Sequence, residues 1–352
     1  MRYQSIALEM KKEFVSLSPG ERLPGVRNLM SKYEASQATI DRSLAILAAQ
    51  GIITRKNGRG YFMPEPSEIR RKNVAFCFCY REEHISNPLY NAMISAFLKI
   101  ADQRHYQLNV FACSEDEDAD SFAARFENAG FDCCVILGCS KQIFLHILSD
   151  LRIRTIQLYP NVFTEKEPVL LIDNHAIINQ LLDLFAAQGH KRIAMLHGQG
   201  FDKVYMLDQE ERIEAFYRGL KRLGLTYAPR LVRYGGFDAE TGYEAAMEML
   251  DTAPELRPTA VIGNDYNAPG IYRACAELGL KIPYDISVAG IDNLPQTACF
   301  MPPLTSVDIE WEAGLKTVAD FLDEKTNGEG IFHTPVRLIE RSSTGAAKKI
   351  AE

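Results

Sequence analysis

The segment PGERLPGVRNLMSKYEASQATIDRSLAILAAQGIITRKNGRGYFM, from Pro19 to Met63, constrains the fold and function of this chain more than any other. An amphipathic helix is predicted just before it, over residues 3–16, and Ser18-Pro19-Gly20 ends that helix. Pro24 suits the first turn of a second, short helix. Ser36 is a natural N-cap for a third helix. This order of elements is typical of a helix-turn-helix.

The third predicted helix has one apolar and one polar side. Its apolar stripe consists of Ile40, Leu44, Leu47 and Ala48, and its other side presents Ala38, Thr39, Arg42 and Ala45. Such small and polar residues allow a helix to lie deep in the major groove of DNA. Gln37, in the first turn, has an amide that pairs with adenine, and Arg42 has the reach for a phosphate or a guanine.

A basic hairpin is predicted directly after this helix. Residues 52–55 and 61–63 are predicted as short strands, and the turn between them, Lys56-Asn57-Gly58-Arg59-Gly60, contains the Asn-Gly pair that favours tight hairpins. Gly58 allows the backbone to approach a phosphate or a minor groove, with Arg59 beside it. The pattern predicts a winged helix-turn-helix that binds DNA. The alternative is a solvated basic turn on a protein-interaction module.

The charge distribution agrees with this division. Residues 1–72 contain 13 Lys and Arg against 7 Asp and Glu, whereas the remainder is strongly acidic and the whole chain carries −7. A basic end on an acidic protein indicates that this end meets a polyanion and that the rest has another role.

The segment 19–63 resembles the winged helix of GntR-type regulators, whose pattern joins P-G-x-x-L-P, an arginine on the second helix, and a G-R-G wing. The resemblance implies that Arg27 holds phosphate. It also implies that Ser36, Gln37, Thr39 and Arg42 meet DNA from the recognition helix, and Gly58 and Arg59 from the wing. The chain departs from the family at Gln37 and Asp41, where arginine is common, so the family does not give the operator sequence.

Beyond a polar, proline-containing linker at 64–72, short apolar strands alternate with helical patterns. The strand candidates are 74–80, 108–112, 134–138, 155–159, 192–196, 230–234, 259–263 and 286–291. Such alternation predicts an α/β fold with parallel sheets covered by helices. The length of this part favours two doubly wound lobes. Ligands of such folds bind beyond the carboxyl ends of strands.

Polar and aromatic residues follow several of these strands. Arg81 and Tyr90 lie beyond the first strand, Asn264 follows 259–263, and Asp292 follows 286–291. Planar polar groups hold vicinal hydroxyls in pairs, and aromatic faces cover the apolar side of a sugar ring. We therefore expect a sugar-like ligand here. The alternative is that Asn264 and Asp292 only cap the helices that follow them.

Residues 73–342 resemble the effector domains of LacI-type regulators and the related periplasmic sugar-binding proteins. The segments that carry the likeness are ISNPLYNAMISAFLKIADQRHYQLNVFACSEDED, LIDNHAIINQLLDLFAAQGHKRIAMLHG, ERIEAFYRGLKRLGL, FDAETGYEAAMEML, RPTAVIGND, YDISVAGIDNLP and PPLTSVDIEWEAG. The implied effector contacts are Asn87, Arg212, Phe237, Asn264 and Asp292. The implied layout is a winged helix over 1–63, a linker over 64–72, an effector domain over 73–342 that crosses between lobes near 172, 303 and 330, and a tail over 343–352.

Several functional classes have no support in the sequence. It has no G-x-G-x-x-G after the first strand of the large domain, no P-loop, no G-x-S-x-G and no H-E-x-x-H. The eight cysteines lack the paired spacing of a zinc site and are interpreted as structural thiols. His190 is also interpreted as structural. We expect no catalytic residue, no metal and no cofactor. With no signal peptide and no apolar run long enough for a membrane span, a cytoplasmic location is expected.

These features together predict a transcription repressor that binds a palindromic operator as a homodimer, since one winged helix makes few base contacts. A small molecule, a sugar or sugar derivative, is expected to control it from the cleft between the lobes. The alternatives are an activator or co-repressor with a non-sugar effector such as a nucleobase, and a regulator fused to a sugar-modifying enzyme.

Overall fold

A computed structural model describes residues 2–14, 17–49, 51–65, 71–80, 88–114, 117–138, 141–160, 163–164, 167–198, 207–225, 227–325 and 330–348. The chain divides into two units, Met1–Lys72 and Asn73–Glu352. None of the helices in these ranges is long and apolar enough to cross a membrane.

The first unit is a three-helix domain with a hairpin. Its elements are α1 (Arg2–Phe14), α2 (Val26–Lys32), α3 (Gln37–Ala49), β1 (Thr54–Lys56) and β2 (Gly60–Phe62). Apolar side chains from all three helices form one core, which includes Met10, Phe14, Leu29, Ile40, Leu44 and Leu47. The predicted apolar stripe of the third helix therefore faces inward, and the hairpin is antiparallel as expected.

Hydrogen bonds fix α3 and the hairpin within this unit. The Ser43 hydroxyl donates to the carbonyl of Tyr3 at 2.8 Å, which ties α3 to α1. The chain before α2 runs alongside β2, because Leu23 N donates to Tyr61 O and Met63 N donates to Glu21 O. β2 is thus bonded along both edges, to β1 on one side and to residues 21–23 on the other.

The second unit alternates strands and helices. Its first elements are β3 (Lys72–Tyr80), α4 (Pro88–Gln103), β4 (Tyr106–Ser114), α5 (Ala119–Ala129), β5 (Cys133–Leu137), α6 (Gln142–Asp150), β6 (Arg154–Leu158) and β7 (Val169–Ile172). They are followed by α7 (Asn174–Ala187), β8 (Ile193–His197), α8 (Leu207–Arg222), β9 (Val232–Tyr234), α9 (Ala239–Leu250), β10 (Ala260–Ile262), α10 (Ala268–Glu277), β11 (Ser287–Ile291), β12 (Thr305–Ile309), α11 (Trp311–Leu322), β13 (Ile331–Thr334) and β14 (Val336–Ile339).

These strands form two six-stranded sheets, one in each lobe. The order is β13-β7-β6-β5-β3-β4 in the first lobe and β14-β12-β11-β10-β8-β9 in the second. The pairs β3/β5, β5/β6, β8/β10 and β10/β11 are parallel, whereas β12 and β14 are antiparallel. Each sheet has an apolar core on both faces. The predicted fold class, a small winged helix followed in the chain by two doubly wound lobes, is confirmed.

The chain crosses between the lobes three times. It passes from β7 to α7 at Asp173, from β12 to α11 at Glu310, and from β13 to β14 at Pro335. The first crossing lies beside the expected position 172, and the others lie several residues beyond 303 and 330. The reason is that β12 keeps its place in the second sheet to Ile309, and β13 pairs with β7 as far as Thr334.

Residues 343–348, which the sequence assigned to a tail, make contacts with the second lobe. Ser343 is fully buried; its hydroxyl donates to Val288 O and accepts from Thr305 N at 2.7 Å. Ala347 N donates to Gln188 O, and Lys348 pairs with Asp285. The hydrogen bonds of Ser343 run to strands that are distant in sequence.

Candidate functional site

The predicted DNA-contacting residues all lie at the surface of the first unit. On α3, Gln37, Asp41 and Arg42 are exposed, together with the small residues Ala38 and Ala45. Ser36 directly precedes the helix, and its carbonyl accepts from the amides of Thr39 and Ile40. Its hydroxyl lies 2.9 Å from that of Thr39. The exposed face at the start of α3 is therefore polar and includes small side chains, as is typical of a helix that lies in a major groove.

The wing and α2 supply further exposed groups. Gly58 has a φ of 72°, and a Cβ at this position would meet no atom within 4 Å, so glycine is needed here for its backbone and not for space. Arg59 is exposed at the tip, where its amide donates to Lys56 O and closes the turn. Arg27 is exposed on α2.

Arg212 forms the centre of the candidate effector site in the second unit. It lies on α8 and is 6% exposed, and its Nε donates to Asn174 Oδ1 at 2.8 Å. Within the described part of the chain, its two Nη nitrogens make no hydrogen bond or ion pair. A guanidinium that is anchored at one nitrogen and open at the other two is prepared for a ligand with two acceptor atoms.

Asn174 is held by carboxylates on the same helix as Arg212. Its Nδ2 donates to Asp208 Oδ1 and to Glu211 Oε2, both at 2.8 Å. Asn174 is 1% exposed and lies immediately after the first crossing between lobes. One buried amide therefore orients the guanidinium and two carboxylates of α8 together.

Asp292 completes this charged group from the end of β11. Burial raises the pKa of its carboxyl to about 6, Arg212 lowers it, and Asp208 raises it further. Burial also raises the pKa of Asp208, against the effects of Arg212 and Asn174. The carboxylate of Asp292 makes no hydrogen bond to any residue that the structure describes. Its φ of 104° is unusual for a residue with a side chain, and such backbone strain is common at ligand sites.

Asp265, buried beyond the end of β10, supports the strained loop. Its carboxylate accepts from Leu294 N at 2.7 Å and from the Ser306 hydroxyl at 2.8 Å. Burial and the nearby Asp292 raise its pKa to about 8. These bonds hold the turn that carries Asp292, so Asp265 helps to position Asp292.

Phe237 lies against the end of β8. A Cβ on Gly198 would come within 2.2 Å of its ring, so the ring rests directly on this glycine. Gly198 N in turn donates to Gln209 Oε1 at 2.8 Å, on the same helix as Arg212. The Phe237 ring thus contacts Gly198, and Gly198 is hydrogen-bonded to Gln209 of α8.

Asn264 has the capping role given above as the alternative. Its Oδ1 accepts from Asn267 N at 2.9 Å, while Asn267 Oδ1 accepts from Asn264 N. Its Nδ2 donates to Gly236 O at 3.3 Å. Both ends of the side chain stabilise the start of α10 and the turn before α9. Among the described residues Asp292 forms no such cap, so its carboxylate remains a candidate ligand contact.

Tyr159 and Trp311 bring the first lobe to this site. Their rings meet edge to face at 5.1 Å, and both pack against the apolar cores of the two lobes. The Tyr159 hydroxyl lies 2.8 Å from that of Thr334. Burial raises the pKa of Tyr159, and Asp208 of the other lobe adds to the shift. The charged group therefore faces the junction of the lobes.

The remaining predicted effector contacts lie wholly or partly outside the described residues. Arg81 and Asn87 lie outside the described residues, and Tyr90 lies in α4 with a side chain that is also outside them. Sequence reasoning omitted Asn174, Asp208, Glu211 and Asp265 from the site. Two sequence features could have indicated some of them: the Asp173-Asn174 pair after β7 and the Glu210-Glu211-Arg212 run on α8.

The winged helix and the polar junction of two doubly wound lobes define a ligand-responsive transcription regulator that binds DNA. Residues 2–63 match the model of bacterial regulatory proteins of the gntR family, and residues 182–344 match that of a periplasmic binding protein-like domain. The chain therefore joins a gntR-family DNA-binding domain to a periplasmic binding protein-like domain, which agrees with the two resemblances found in the sequence.

Known transcription regulators align with this chain, some over most of its length and others over about half of it. The HTH-type transcriptional repressor CytR of Escherichia coli K12 is 26% identical over 91% of this chain and 92% of its own length. The PurR repressor of Vibrio atlanticus is 34% identical over 44% of this chain and 46% of its own. A solved CelR–cellobiose complex has a TM-score of 0.65 at 21% identity, covering 88% of this chain and 92% of that one. A lac repressor dimer bound to operator also has a TM-score of 0.65, at 22% identity, covering 79% and 95%.

Proposed function

We propose that this regulator represses transcription by binding an operator as a homodimer, and that a neutral, polyhydroxylated small molecule bound at Arg212 relieves repression. The observation that carries the proposal is the arrangement of Arg212, whose Nε is fixed by Asn174 while both Nη nitrogens are open among the described residues. Buried polar groups that serve stability are normally hydrogen-bonded, so a buried guanidinium with two nitrogens unpaired among the described residues favours a binding role.

The DNA-binding step rests on α3 and the wing. Gln37 and Arg42 read bases or phosphate from the major groove, while Arg27 and Arg59 neutralise phosphates on either side. The first unit is basic in an otherwise acidic chain, which supports its role as the DNA contact. Two copies on a palindromic site supply the number of contacts that one copy lacks. A protein with this role works in the cytoplasm, together with the DNA.

The charge at the candidate site limits the chemistry of the effector. Three carboxylates, from Asp208, Glu211 and Asp292, surround one guanidinium. An anionic effector such as a uronate would meet net negative charge, whereas neutral hydroxyls donate to the carboxylates and accept from Arg212. Phe237 provides an aromatic surface for the apolar face of a sugar ring. A neutral sugar or nucleoside fits these groups.

Effector binding acts by shifting the lobes. The charged group belongs to the second lobe, and Tyr159 and Trp311 bring the first lobe beside it. A ligand that contacts both lobes favours the closed arrangement by its differential affinity. A coupling free energy of roughly 1–3 kcal/mol changes operator affinity about five- to 150-fold.

A ligand screen tests the effector proposal. Purified protein is scanned for thermal stabilisation by neutral pentoses and hexoses, uronates, amino sugars, nucleosides and purine bases. We expect a neutral sugar or nucleoside to raise the Tm of the wild type, and Arg212→Gln to abolish the rise. Arg218→Gln, an exposed substitution on the same helix, is the control. Stabilisation by a uronate, or an undiminished response of Arg212→Gln, contradicts the proposal, and consumption of the ligand would indicate an enzyme.

Operator binding is tested separately. Operator fragments are selected from random DNA with the wild type, and affinities are measured over a range of salt concentrations. Arg42→Ala and Arg59→Ala should each weaken binding about tenfold or more and reduce the salt slope by about one. Arg218→Ala should bind like wild type. If Arg42→Ala and Arg59→Ala retain full affinity, the DNA-binding surface is assigned incorrectly.

A further inference from the structure

Three cysteines converge in the first lobe, although sequence spacing indicated no such group. Cys77 and Cys79 are two residues apart on β3, so both point to the same face of the sheet, and Cys113 lies on the neighbouring strand β4. Their three Sγ atoms all lie within 4.8 Å of one another, and those of Cys77 and Cys113 are 2.8 Å apart. No linear motif contains this group, because it depends on strand pairing.

The surroundings of the three thiols are apolar on one side and accessible on the other. Cys77 and Cys113 are fully buried in the core beneath α5 and α6, which includes Phe122, Phe126 and Phe144. Cys79 is half-buried at the edge of this core, towards the carboxyl end of β3. The group is therefore enclosed by hydrocarbon and reachable through Cys79.

A positive charge lies close to the thiols. Arg125 Nη2 donates to the carbonyl of Ala112, the residue before Cys113, at 2.9 Å. Arg125 also pairs with Glu117 and lies over the ring of Phe111. Its position favours negative charge on the neighbouring sulfur atoms.

We propose that Cys77, Cys79 and Cys113 bind one cuprous ion through three thiolate ligands. Thiolates are soft ligands that select Cu(I), zinc or iron–sulfur clusters. Zinc prefers four ligands in a tetrahedron, whereas this group supplies three sulfurs within the described residues. On binding, each thiol that ligates the ion releases its proton to solvent.

Copper binding is tested anaerobically on the reduced full-length protein. Cu(I) is titrated against a chromophoric chelator, and X-ray absorption reports the ligand atoms. We expect one tightly held Cu(I) per chain with three sulfur neighbours, and an increased Tm, because the ion binds the folded state alone. Less than half an equivalent, nitrogen or oxygen ligands, or tighter retention of Zn²⁺ than of Cu(I) in parallel titrations would overturn the proposal.

Matched cysteine variants locate the site. Cys79 is half-exposed, so Cys79→Ser keeps the test possible if Cys77→Ala or Cys113→Ala fails to fold. Each variant should lower Cu(I) affinity at least tenfold, while Cys299→Ser, an exposed thiol of the second lobe, should bind like wild type. Full affinity in Cys79→Ser overturns the assignment. The assignment is also overturned if the reduced protein takes up no copper and a mild thiol oxidant joins Cys77 and Cys113 in a disulfide.

Discussion

At the scale of single residues, one buried amide organises the candidate effector site. Asn174 accepts from Arg212 and donates to Asp208 and Glu211, so three charged side chains depend on it. A carboxamide is suited to this position because it offers both an acceptor and two donors. No charged residue offers both.

Replacing this amide should therefore weaken effector binding, although Asn174 acts through its neighbours. We expect Asn174→Ala to reduce effector affinity about tenfold, because Arg212 loses its anchor and two carboxylates lose a donor. The measurement is calorimetric titration with a ligand identified in the screen. Asn179→Ala, on the same helix but bonded to the exposed Arg222, is the control. Equal affinities for Asn174→Ala and wild type would show that Arg212 does not need this support.

The raised pKa of Asp292 has a consequence for stability. Its pKa is about 6 in the folded protein against an ordinary value of 3.8, so its stabilising contribution is complete below pH 3.8 and is lost as the pH rises through 6. The shift corresponds to roughly 3 kcal/mol. Asp292→Asn should therefore raise the Tm at pH 8 more than at pH 5. A difference in Tm that does not change with pH contradicts this.

The sequence predicted part of this site. Arg212, Phe237 and Asp292 were indicated by family resemblance, and Asp292 also by its place after a strand. Asn174 and Asp208 were not selected, because their importance comes from partners distant in sequence. A residue type determines which hydrogen bonds are possible, but only packing determines which are made.

At the scale of elements, the C-terminal segment stabilises the second lobe. Gly345 O lies 3.0 Å from Nε2 of His190, whose other ring nitrogen lies 3.0 Å from the Thr259 hydroxyl. Burial lowers the pKa of His190, which keeps the ring neutral with one donor and one acceptor. The structural role predicted for this histidine is supported by these bonds.

Shortening the chain tests the role of this segment. A chain that ends at Ser342 lacks the buried Ser343 and its bonds to β11 and β12, so we expect its second lobe to be strongly destabilised. Ser343→Ala in the full chain should cost about 1–3 kcal/mol, since Thr305 N loses its acceptor. Thermal unfolding is the measurement. A chain that ends at Lys348 is the control, and equal Tm values for all three proteins contradict the prediction.

The strands that sequence patterns missed share a physical feature. β7, β12, β13 and β14 contain only four or five residues each, and each of them lies next to a crossing between the lobes. β12 and β13 also mix apolar residues with Asp308 and His333, whereas β5, of similar length, is a continuous apolar run and was identified. The place of the missed strands is fixed by pairing with strands far away in the chain, such as β13 with β7.

At the scale of the whole molecule, the proposed binding as a dimer predicts a symmetric operator. A protein that binds as a two-fold dimer should lose much of its affinity when one half-site of a palindrome is scrambled. We expect a dimer by light scattering and a loss of roughly a hundredfold or more on the half-site DNA. A monomer in solution with equal affinity for whole and half sites would contradict the dimer proposal.

The junction of the lobes also has a practical consequence. Trp311 is the only tryptophan in the chain, and it lies between the two cores with its indole against Tyr159. Its emission therefore arises from the place where the lobes meet. Closure that changes its contact with water or with the Tyr159 ring will change the colour and intensity of that emission. The protein thus carries a built-in fluorescent reporter, and lobe movement is open to stopped-flow measurement without any attached dye.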